Sequence, residues 1–261
     1  MSQSLLTCVV PYRASGDPAR ERNRDAVLRW LLATGMRVVL SEESSRPLAA
    51  VPPGVDYVWS ESPQSFSKAA ACNAGVLASQ SRVVALVDAD TMVRSRALLT
   101  SARLIDRAPA SRPLGAVRPF GALIDLDESE SVRVAESGEV PSEVPVSTDS
   151  SRRHERIPLA GGILVIDRET YLSAGGMDET FRGWGGEDDA FSRVLERLGV
   201  VTRRLTSETA YHLWHARSIA ERYQHEGYAH NFNRALWWHR CGDADFLREV
   251  HHMESRLRAR V

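Results

Sequence analysis

A run of five apolar residues, Val83–Val87, constrains the fold of this chain more than any other feature. The run is too short for a buried helix and has no polar residue at alternate positions, so it predicts a strand covered on both faces. Similar short apolar runs, such as Leu5–Val10, alternate with helical patterns such as Arg20–Thr34 and Ser67–Ser79. This alternation predicts an α/β fold in which helices flank a mostly parallel sheet.

The second half of the chain predicts a more varied organisation. The segment Asp125–Arg156 is rich in Glu, Ser, Val and Pro and shows no helical period. We therefore expect a flexible insertion, either a solvated loop or an ordered loop that covers substrate. Residues 218–261 show a helical pattern with a break near Gly242. The predicted organisation is one domain over residues 1–217 and a helical C-terminal extension, 218–261, packed on it.

Composition and charge exclude several functional classes. The formal net charge of −1 gives no strong uniform field for binding nucleic acid. No apolar run approaches the roughly 18 residues that span a bilayer, and the N-terminus lacks the pattern of a signal peptide. The three cysteines are far apart and have neither metal-finger nor redox-pair spacing. We therefore expect a soluble, cytoplasmic protein with reduced thiols and no membrane span.

Two carboxylates, Asp88 and Asp90, directly follow the apolar run. Side chains two residues apart on an extended chain point to the same side, and open α/β sheets bind ligands at the carboxyl ends of their strands. Two neighbouring anions need a positive partner, which a divalent cation bound to a diphosphate would supply. Such a pair also occurs in helix caps and solvated loops, but its position after a buried strand favours a metal and phosphate site.

A glycine-rich segment, Gly-Trp-Gly-Gly at 183–186, precedes the three consecutive acids Glu187, Asp188 and Asp189. The helix dipole favours one or two acids in a first turn, but it does not account for the glycines. Trp184 on such a flexible backbone is suited to stack on a sugar ring. The adjacent carboxylates are suited to bind hydroxyl groups or to accept a proton.

Two further features accompany these motifs. His212 and His215 are three residues apart, so on a strand they would point to opposite faces. At most one of them is expected at the site, as a third metal ligand, and a packed histidine is an equally good interpretation. Lys68, the single lysine of the chain, lies on the helix that leads into the acid-pair strand. It is suited to pair with phosphate, or it is a solvated amine.

Together these motifs resemble the GT-A glycosyltransferases. The resemblance rests on residues 9–13, Phe66, Lys68 and Asn73, Asp88-Ala89-Asp90 as a DxD motif, residues 183–189, and His215. It points in particular to the branch of the β-1,4-galactosyltransferases and chondroitin polymerases, to which the polypeptide N-acetylgalactosaminyltransferases are related. The resemblance implies a single Rossmann-like GT-A domain that covers most of the chain.

The resemblance also implies a role for each matched position. The donor-binding positions are Pro11, Arg13, Phe66, Lys68, Asn73, Asp88 and Gly162, with Gly161 beside the last. The metal-binding positions are Asp90, His215 and Asp88. The catalytic positions are Asp188, as the base, and Glu187, which would hold the donor sugar. The acceptor positions are Trp184 and Asp189.

The implied reaction is the metal-dependent transfer of a hexose or N-acetylhexosamine from a nucleotide sugar to an acceptor hydroxyl. An imidazole ligand favours Mn²⁺ over Mg²⁺. Retaining relatives carry Glu-Asn where this chain has Glu187-Asp188, so the sequence favours inversion, with retention as the alternative. A UDP-sugar is expected, although the second strand is followed by Ser41-Glu42-Glu43-Ser44 rather than by the Asp residues that read the base in many relatives.

Other readings remain open at this point. A nucleotidyltransferase or a nucleotide-sugar hydrolase also uses paired carboxylates and a metal ion, but it has no need of the glycine-rich segment. A sugar- or nucleotide-binding module with an inactive site is a third possibility. The acceptor, whether glycan, protein, small molecule or modified nucleobase, is not indicated by the sequence, and neither is the oligomeric state.

Overall fold

The computed structural model describes residues 5–141, 152–183, 185–216 and 227–260. Its strands are β1 (Leu6–Tyr12), β2 (Arg37–Ser44), β3 (Val55–Glu61), β4 (Val83–Val87), β5 (Thr91–Met92), β6 (Ala116–Arg118), β7 (Ala122–Asp125), β8 (Arg153–His154), β9 (Ile163–Asp167), β10 (Thr202–Arg204) and β11 (Thr209–His212). Its helices are α1 (Pro18–Ala33), α2 (Lys68–Ala78), α3 (Ser95–Asp106), α4 (Glu128–Ser137), α5 (Arg168–Ser173), α6 (Glu187–Arg197), α7 (Tyr228–Arg240) and α8 (Asp243–Arg258).

The main sheet has seven strands in the order β10-β6-β9-β4-β1-β2-β3. Strand β1 runs parallel to both β2 and β4, and β3 runs parallel to β2. Strand β9 is antiparallel to its two neighbours, β4 and β6. The predicted α/β fold with a mostly parallel sheet is therefore confirmed, with β9 as its antiparallel member.

Strand β4 is buried on both faces, as its apolar sequence predicts. Val83, Ala85 and Val87 contribute to one hydrophobic core, which α1 and α3 cover. Val84 and Leu86 contribute to a second core on the opposite face, which α2, α5, α6, α7 and α8 cover. Because helices cover both faces of β4, a ligand can reach this strand at its carboxyl end.

A second, smaller sheet has the strand order β5-β11-β7-β8. Strand β5 follows the acid pair directly, and β11 pairs with it in antiparallel register. Strand β11 also runs parallel to β7, with His212 beside Asp125. This sheet therefore brings the end of β11, more than 100 residues later in the chain, next to the carboxyl end of β4.

The expectation that residues 125–156 hold no helix is wrong. Helix α4 begins after Asp127, whose side chain accepts from the Glu130 backbone N–H while the Glu130 side chain accepts in return from the Asp127 N–H. This capping box stabilises the first turn. The buried face of α4 carries Ser131, Val134 and Ala135, so its apolar period is weak. Residues 142–151 of the predicted insertion lie outside the described residues.

The C-terminal helices pack on the second core. Trp238 of α7 is fully buried, and its indole N–H donates to Asp178 Oδ2 at 2.9 Å. Helix α7 ends at Arg240 and α8 begins at Asp243, which agrees with the break expected near Gly242. The division into two units at residue 217 stays a prediction. In the parts of the chain that the structure describes, no helix is long and apolar enough to cross a lipid bilayer.

Candidate active site

Asp90, His212 and His215 form a cluster that the smaller sheet assembles. Strand β5 begins directly after Asp90, and in β11 His212 lies opposite Thr91. The backbone N–H of Leu213 donates to the Asp90 carbonyl at 2.7 Å, which holds the acid against the end of β11. Asp90 Oδ2 lies 3.5 Å from His212 Nε2 and 3.3 Å from His215 Nε2.

The donor atoms of this cluster fit a divalent metal ion. One carboxylate oxygen and two imidazole nitrogens lie within 4.8 Å of one another. Adjacent ligands of an octahedral ion bound at about 2.1 Å are about 3 Å apart, so the side chains need only a small adjustment to bind one. Carboxylate oxygens suit Mg²⁺ and Mn²⁺ and imidazoles suit the later transition metals, so the mixed set is compatible with Mn²⁺.

The expectation that at most one of the two histidines lies at the site is wrong. It assumed that strand alternation continues to His215, but β11 ends at His212 and the chain leaves the strand there. The centroids of the two rings are 5.3 Å apart. His212 Nδ1 also lies 3.4 Å from Asp125 Oδ1, a contact that orients the ring. Neither the position of His212 nor the contact with Asp125 follows from residue spacing.

The charge state of Asp90 suits a metal ligand. Burial by itself would raise the pKa of this carboxyl group, but the charges and hydrogen bonds of His212 and His215 outweigh it. The pKa of Asp90 is therefore held well below its ordinary value, and the carboxylate stays ionised at neutral pH.

Lys68 joins two carboxylates that are far apart in the chain. Its Nζ atom lies 2.6 Å from Asp88 Oδ1 and donates to both carboxylate oxygens of Asp188 at 2.9 Å. Ser67 caps the start of α2, which places Lys68 in its first turn, and Asp188 lies in the first turn of α6. Asp88, predicted as a metal ligand, therefore pairs with Lys68, and Lys68, predicted to meet phosphate, pairs with carboxylates.

This second cluster carries more negative than positive charge. Burial lowers the pKa of Lys68, but Asp188 and Asp88 outweigh it and raise that pKa well above its ordinary value. Burial raises the pKa of Asp188 to about 8, and the neighbouring charges of Glu187 and Asp88 add to the rise while Lys68 opposes it. Burial also raises the pKa of Glu187, whose Oε2 atom has no hydrogen-bond partner among the described residues.

The glycine-rich segment requires glycine at several positions. Gly183, Gly185 and Gly186 have φ angles of +74°, +93° and +96°, in the left-handed region. A Cβ atom on Gly186 would lie 2.8 Å from the Phe181 ring. The Gly183 N–H donates to the Phe66 carbonyl at 2.7 Å, which joins this segment to the loop before α2. The predicted acceptor residue Trp184 lies outside the described residues.

The remaining predicted donor positions lie at the carboxyl ends of the central strands. Pro11 is buried in β1 beside Ser41 of β2. Arg13 follows β1 and donates to the Gln64 carbonyl at 2.6 Å. Gly162 has a φ of +79° and accepts from the Asp88 N–H at 2.9 Å, so it lies directly beside the acid pair. Gly161 precedes it, and a Cβ atom there would meet Ile157 at 2.7 Å.

Asn73 does not fit its predicted role in donor binding. Its amide nitrogen donates to the Met177 carbonyl at 2.9 Å and to Glu179 Oε1 at 2.8 Å. Its amide oxygen accepts from the Tyr171 hydroxyl at 2.5 Å and from the Met177 N–H at 3.0 Å. The hydrogen-bonding capacity of this buried side chain is therefore used within the protein, where it joins α2 to the segment after α5.

A cleft of about 480 Å³ opens beside the acids of α6. Its walls come from the start of α6 and from one face of α7. The lining residues are Pro158, Gly185, Gly186, Glu187, Asp188, Asp189, Tyr228, Asn231, Phe232, Ala235, Leu236 and His239. Asp189 Oδ2 lies 2.6 Å from His239 Nε2 and so joins the two walls. The cleft and the predicted catalytic acids therefore form one continuous site.

Comparisons with known proteins bear on this arrangement. Residues 146–216 match a family model described as the N-terminal domain of galactosyltransferase, and this segment contains the glycine-rich motif, the acids and both histidines. GalNAc-T7 in complex with UDP, GalNAc and Mn²⁺ has a similar structure, with 14% identity, a TM-score of 0.58 and coverage of 97% of this chain and 55% of that one. The chain has the GT-A fold.

Two other GT-A glycosyltransferase structures have similar folds. Glucosyl-3-phosphoglycerate synthase from Mycobacterium tuberculosis, with Mn²⁺, UDP and phosphoglyceric acid, has 13% identity and a TM-score of 0.55 over 90% of this chain and 78% of that one. The mannosyltransferase PcManGT from Pyrobaculum calidifontis, with GDP-Man and Mn²⁺, has 18% identity and a TM-score of 0.53 over 98% and 70%. No curated protein sequence matches the chain. The predicted resemblance, GT-A fold and glycosyltransferase class are confirmed.

Proposed function

We propose that this GT-A glycosyltransferase is metal-dependent and inverting, and that it transfers a hexose or N-acetylhexosamine from a UDP-sugar to an acceptor hydroxyl. One observation carries the proposal. Asp90 and two imidazoles form a cluster suited to a divalent ion, and Asp188, a separate and partly buried carboxylate with a raised pKa, shares Lys68 with Asp88. Asp88 follows β4, and Lys68 joins it to Asp188.

Asp90, His212 and His215 would hold the metal ion. Of the related structures, GalNAc-T7 and the glucosyl-3-phosphoglycerate synthase contain UDP and Mn²⁺, and PcManGT contains GDP-Man and Mn²⁺. These complexes support Mn²⁺ and a nucleotide sugar, and they leave uridine and guanosine to be distinguished by experiment. When bound, the metal ion would neutralise the charge that develops on the departing diphosphate.

Asp188 is the proposed base. The acceptor hydroxyl gives its proton to the Asp188 carboxylate while its oxygen forms a bond to the anomeric carbon. The bond from that carbon to the diphosphate breaks at the same time, and its electron pair leaves with the diphosphate. A single displacement of this kind inverts the anomeric configuration. The raised pKa of Asp188 makes it a stronger base than an ordinary aspartate.

Lys68 restrains this base through its hydrogen bonds. Its ammonium group donates to both carboxylate oxygens of Asp188, and it balances only part of the charge of Asp88, Glu187 and Asp188. A diphosphate next to Asp88 would compete for the same ammonium group. Transfer of Lys68 from Asp188 to the diphosphate would leave the base free to accept a proton only when a donor is present.

A thermal-shift titration tests the donor half of the proposal. We expect UDP-sugars with Mn²⁺ to raise the melting temperature, with a smaller shift when Mn²⁺ is omitted. A stronger response to GDP-mannose would indicate that the donor carries guanosine rather than uridine. No Mn²⁺-dependent response to any nucleotide would refute the proposal. Release of sugar from the donor at full rate without acceptor would indicate the hydrolase instead.

Product NMR tests the stereochemistry. Because one displacement inverts the anomeric centre, an α-linked UDP-sugar should give a β-linked product. An α-linked product would assign the retaining mechanism and would remove Asp188 from the role of base. The NMR measurement requires only one acceptor to which the protein transfers sugar.

A further inference from the structure

The cleft beside α6 has two chemically different walls. One wall carries the carboxylates of Glu187, Asp188 and Asp189, and the other is formed by Tyr228, Phe232 and further α7 side chains. The α7 residues that line it are 228, 231, 232, 235, 236 and 239, spaced as one helix face. An acceptor bound with its hydroxyl at Asp188 would therefore extend along this face of α7.

Phe232 is exposed to solvent although the helix that carries it is anchored to the rest of the site. The neighbouring Asn231 is buried and its amide nitrogen donates to the Arg182 carbonyl at 2.9 Å, so α7 is anchored to the segment before the glycines. On this anchored helix the Phe232 side chain is 58% exposed. An aromatic ring that lines a cleft and is open to solvent is suited to bind an apolar group.

The charge of the cleft selects against anionic acceptors. Three of its lining residues are acids, and none of the described lining residues is Lys or Arg. Its histidine, His239, is already in contact with Asp189. A phosphate or a uronic acid bound here would lie beside carboxylates whose charge Lys68 balances only in part, which is unfavourable at the short distances inside a cleft.

We propose that the acceptor is an uncharged glycoside with an apolar aglycone, an aryl or alkyl group. This inference rests on the proposed function, because the sugar hydroxyl is placed at the base Asp188. The sugar would lie beside Asp188 and Asp189, whose carboxylates accept hydrogen bonds from its hydroxyl groups, and the aglycone would lie on Tyr228, Phe232 and Leu236. The cleft volume of about 480 Å³ exceeds the need of one sugar ring and leaves room for an aryl group.

Ligand-observed NMR tests this acceptor class without any turnover. Methyl and p-nitrophenyl glycosides of glucose, galactose, xylose, mannose and N-acetylglucosamine are titrated against the protein, with and without UDP and Mn²⁺. We expect the p-nitrophenyl glycoside of at least one sugar to bind about tenfold more tightly than its methyl counterpart, the gain expected from burying part of an aryl group. p-Nitrophenyl glucuronide should bind more weakly than the glucoside.

Phe232→Ala supplies the decisive variant, and Leu247→Ala is its matched control. Leu247 is a large apolar side chain on α8 that is 55% exposed and does not line the cleft. Phe232→Ala should abolish most of the aryl preference with an unchanged melting temperature, and Leu247→Ala should retain it. Equal affinity for aryl and methyl glycosides, no glycoside binding, tight glucuronide binding or a retained preference in Phe232→Ala would each overturn the inference. Failure of Mn²⁺-dependent UDP binding would instead refute the proposed function.

Discussion

Asp90 and Asp188 are partly buried aspartates of the same site, yet their surroundings move their pKa values in opposite directions. Two imidazoles lie close to Asp90. Asp188 has one ammonium group, which it shares with Asp88, and it lies beside Glu187. The balance of opposite and like charges around each carboxylate therefore decides whether burial is overcome. One aspartate is kept as a permanent anion, and the other can bind and release a proton near neutral pH.

This difference separates two tasks within the site. The Asp90 cluster already has the ligands for a cation, so it requires little rearrangement to bind one. The Lys68 cluster is held in a state that a donor would have to alter, because its one ammonium group occupies the base. We therefore expect substitutions in the first cluster to affect donor binding and substitution of the base Asp188 in the second to affect the chemical step.

The largest effect is expected from Asp90→Asn. This change removes the anionic ligand of the metal cluster, and loss of metal-assisted stabilisation worth several kcal/mol corresponds to at least about a 10³-fold loss of turnover. Isothermal titration with UDP and Mn²⁺ should show that metal-dependent nucleotide binding is lost as well. Asp243→Asn, at a residue whose side chain is 97% exposed, is the control. Mn²⁺-dependent UDP binding of normal affinity in Asp90→Asn would remove Asp90 from the metal site.

Asp188→Asn should separate chemistry from binding. Asparagine has nearly the same shape but cannot accept the proton, so we expect turnover to fall by about 10²- to 10⁴-fold. Affinity for UDP with Mn²⁺ should change by only a few fold, in contrast to Asp90→Asn. The two measurements are made by single-turnover kinetics and by isothermal titration. A loss of nucleotide affinity as large as the loss of turnover would contradict the division of tasks.

Much of the main sheet could be predicted from the sequence, because its signals are local. The apolar runs of β1 and β4 and the helical periods of α1 and α2 each lie within a few residues, and each element formed near its predicted position. No apolar period indicates helix α4, because its buried face consists mainly of small or polar residues and its start depends on a single capping box. The sequence signal for this helix is the capping box of Asp127 and Glu130.

The candidate site could be predicted only in part, because its contacts are long-range. The acids and glycines are adjacent in sequence and could be recognised as motifs. The ion pair of Lys68 with Asp188 joins residues 120 positions apart, and no local pattern indicates it. The position of His212 depends on where β11 ends, which is set by its pairing with β5 and β7.

A smaller effect is expected from removing either histidine. His212→Ala and His215→Ala should each lower the affinity for Mn²⁺ by at least about tenfold, because both imidazoles face Asp90. Mn²⁺ affinity can be followed by electron paramagnetic resonance of the free ion in a titration. His251→Ala, at an exposed residue of α8, is the control. If only His215→Ala lowered the affinity for Mn²⁺, His212 would be a packed histidine and not a metal ligand.

The smallest effect, and the most specific, is a shift of the pH profile. Asp188 accepts a proton only when it is ionised, and its pKa of about 8 predicts that kcat/KM for the donor falls as the pH decreases through 8. Lys68 opposes this raised pKa, so Lys68→Met should move the midpoint of the limb to a higher pH, whereas Lys68→Arg keeps the positive charge and should move it less. The midpoint is informative even if Lys68→Met weakens donor binding, because weaker binding lowers the whole profile without shifting it. If the midpoint did not change in Lys68→Met, the fall of kcat/KM at low pH would report the titration of a group other than Asp188. The opposite pKa shifts of the two aspartates would then have no demonstrated role in catalysis.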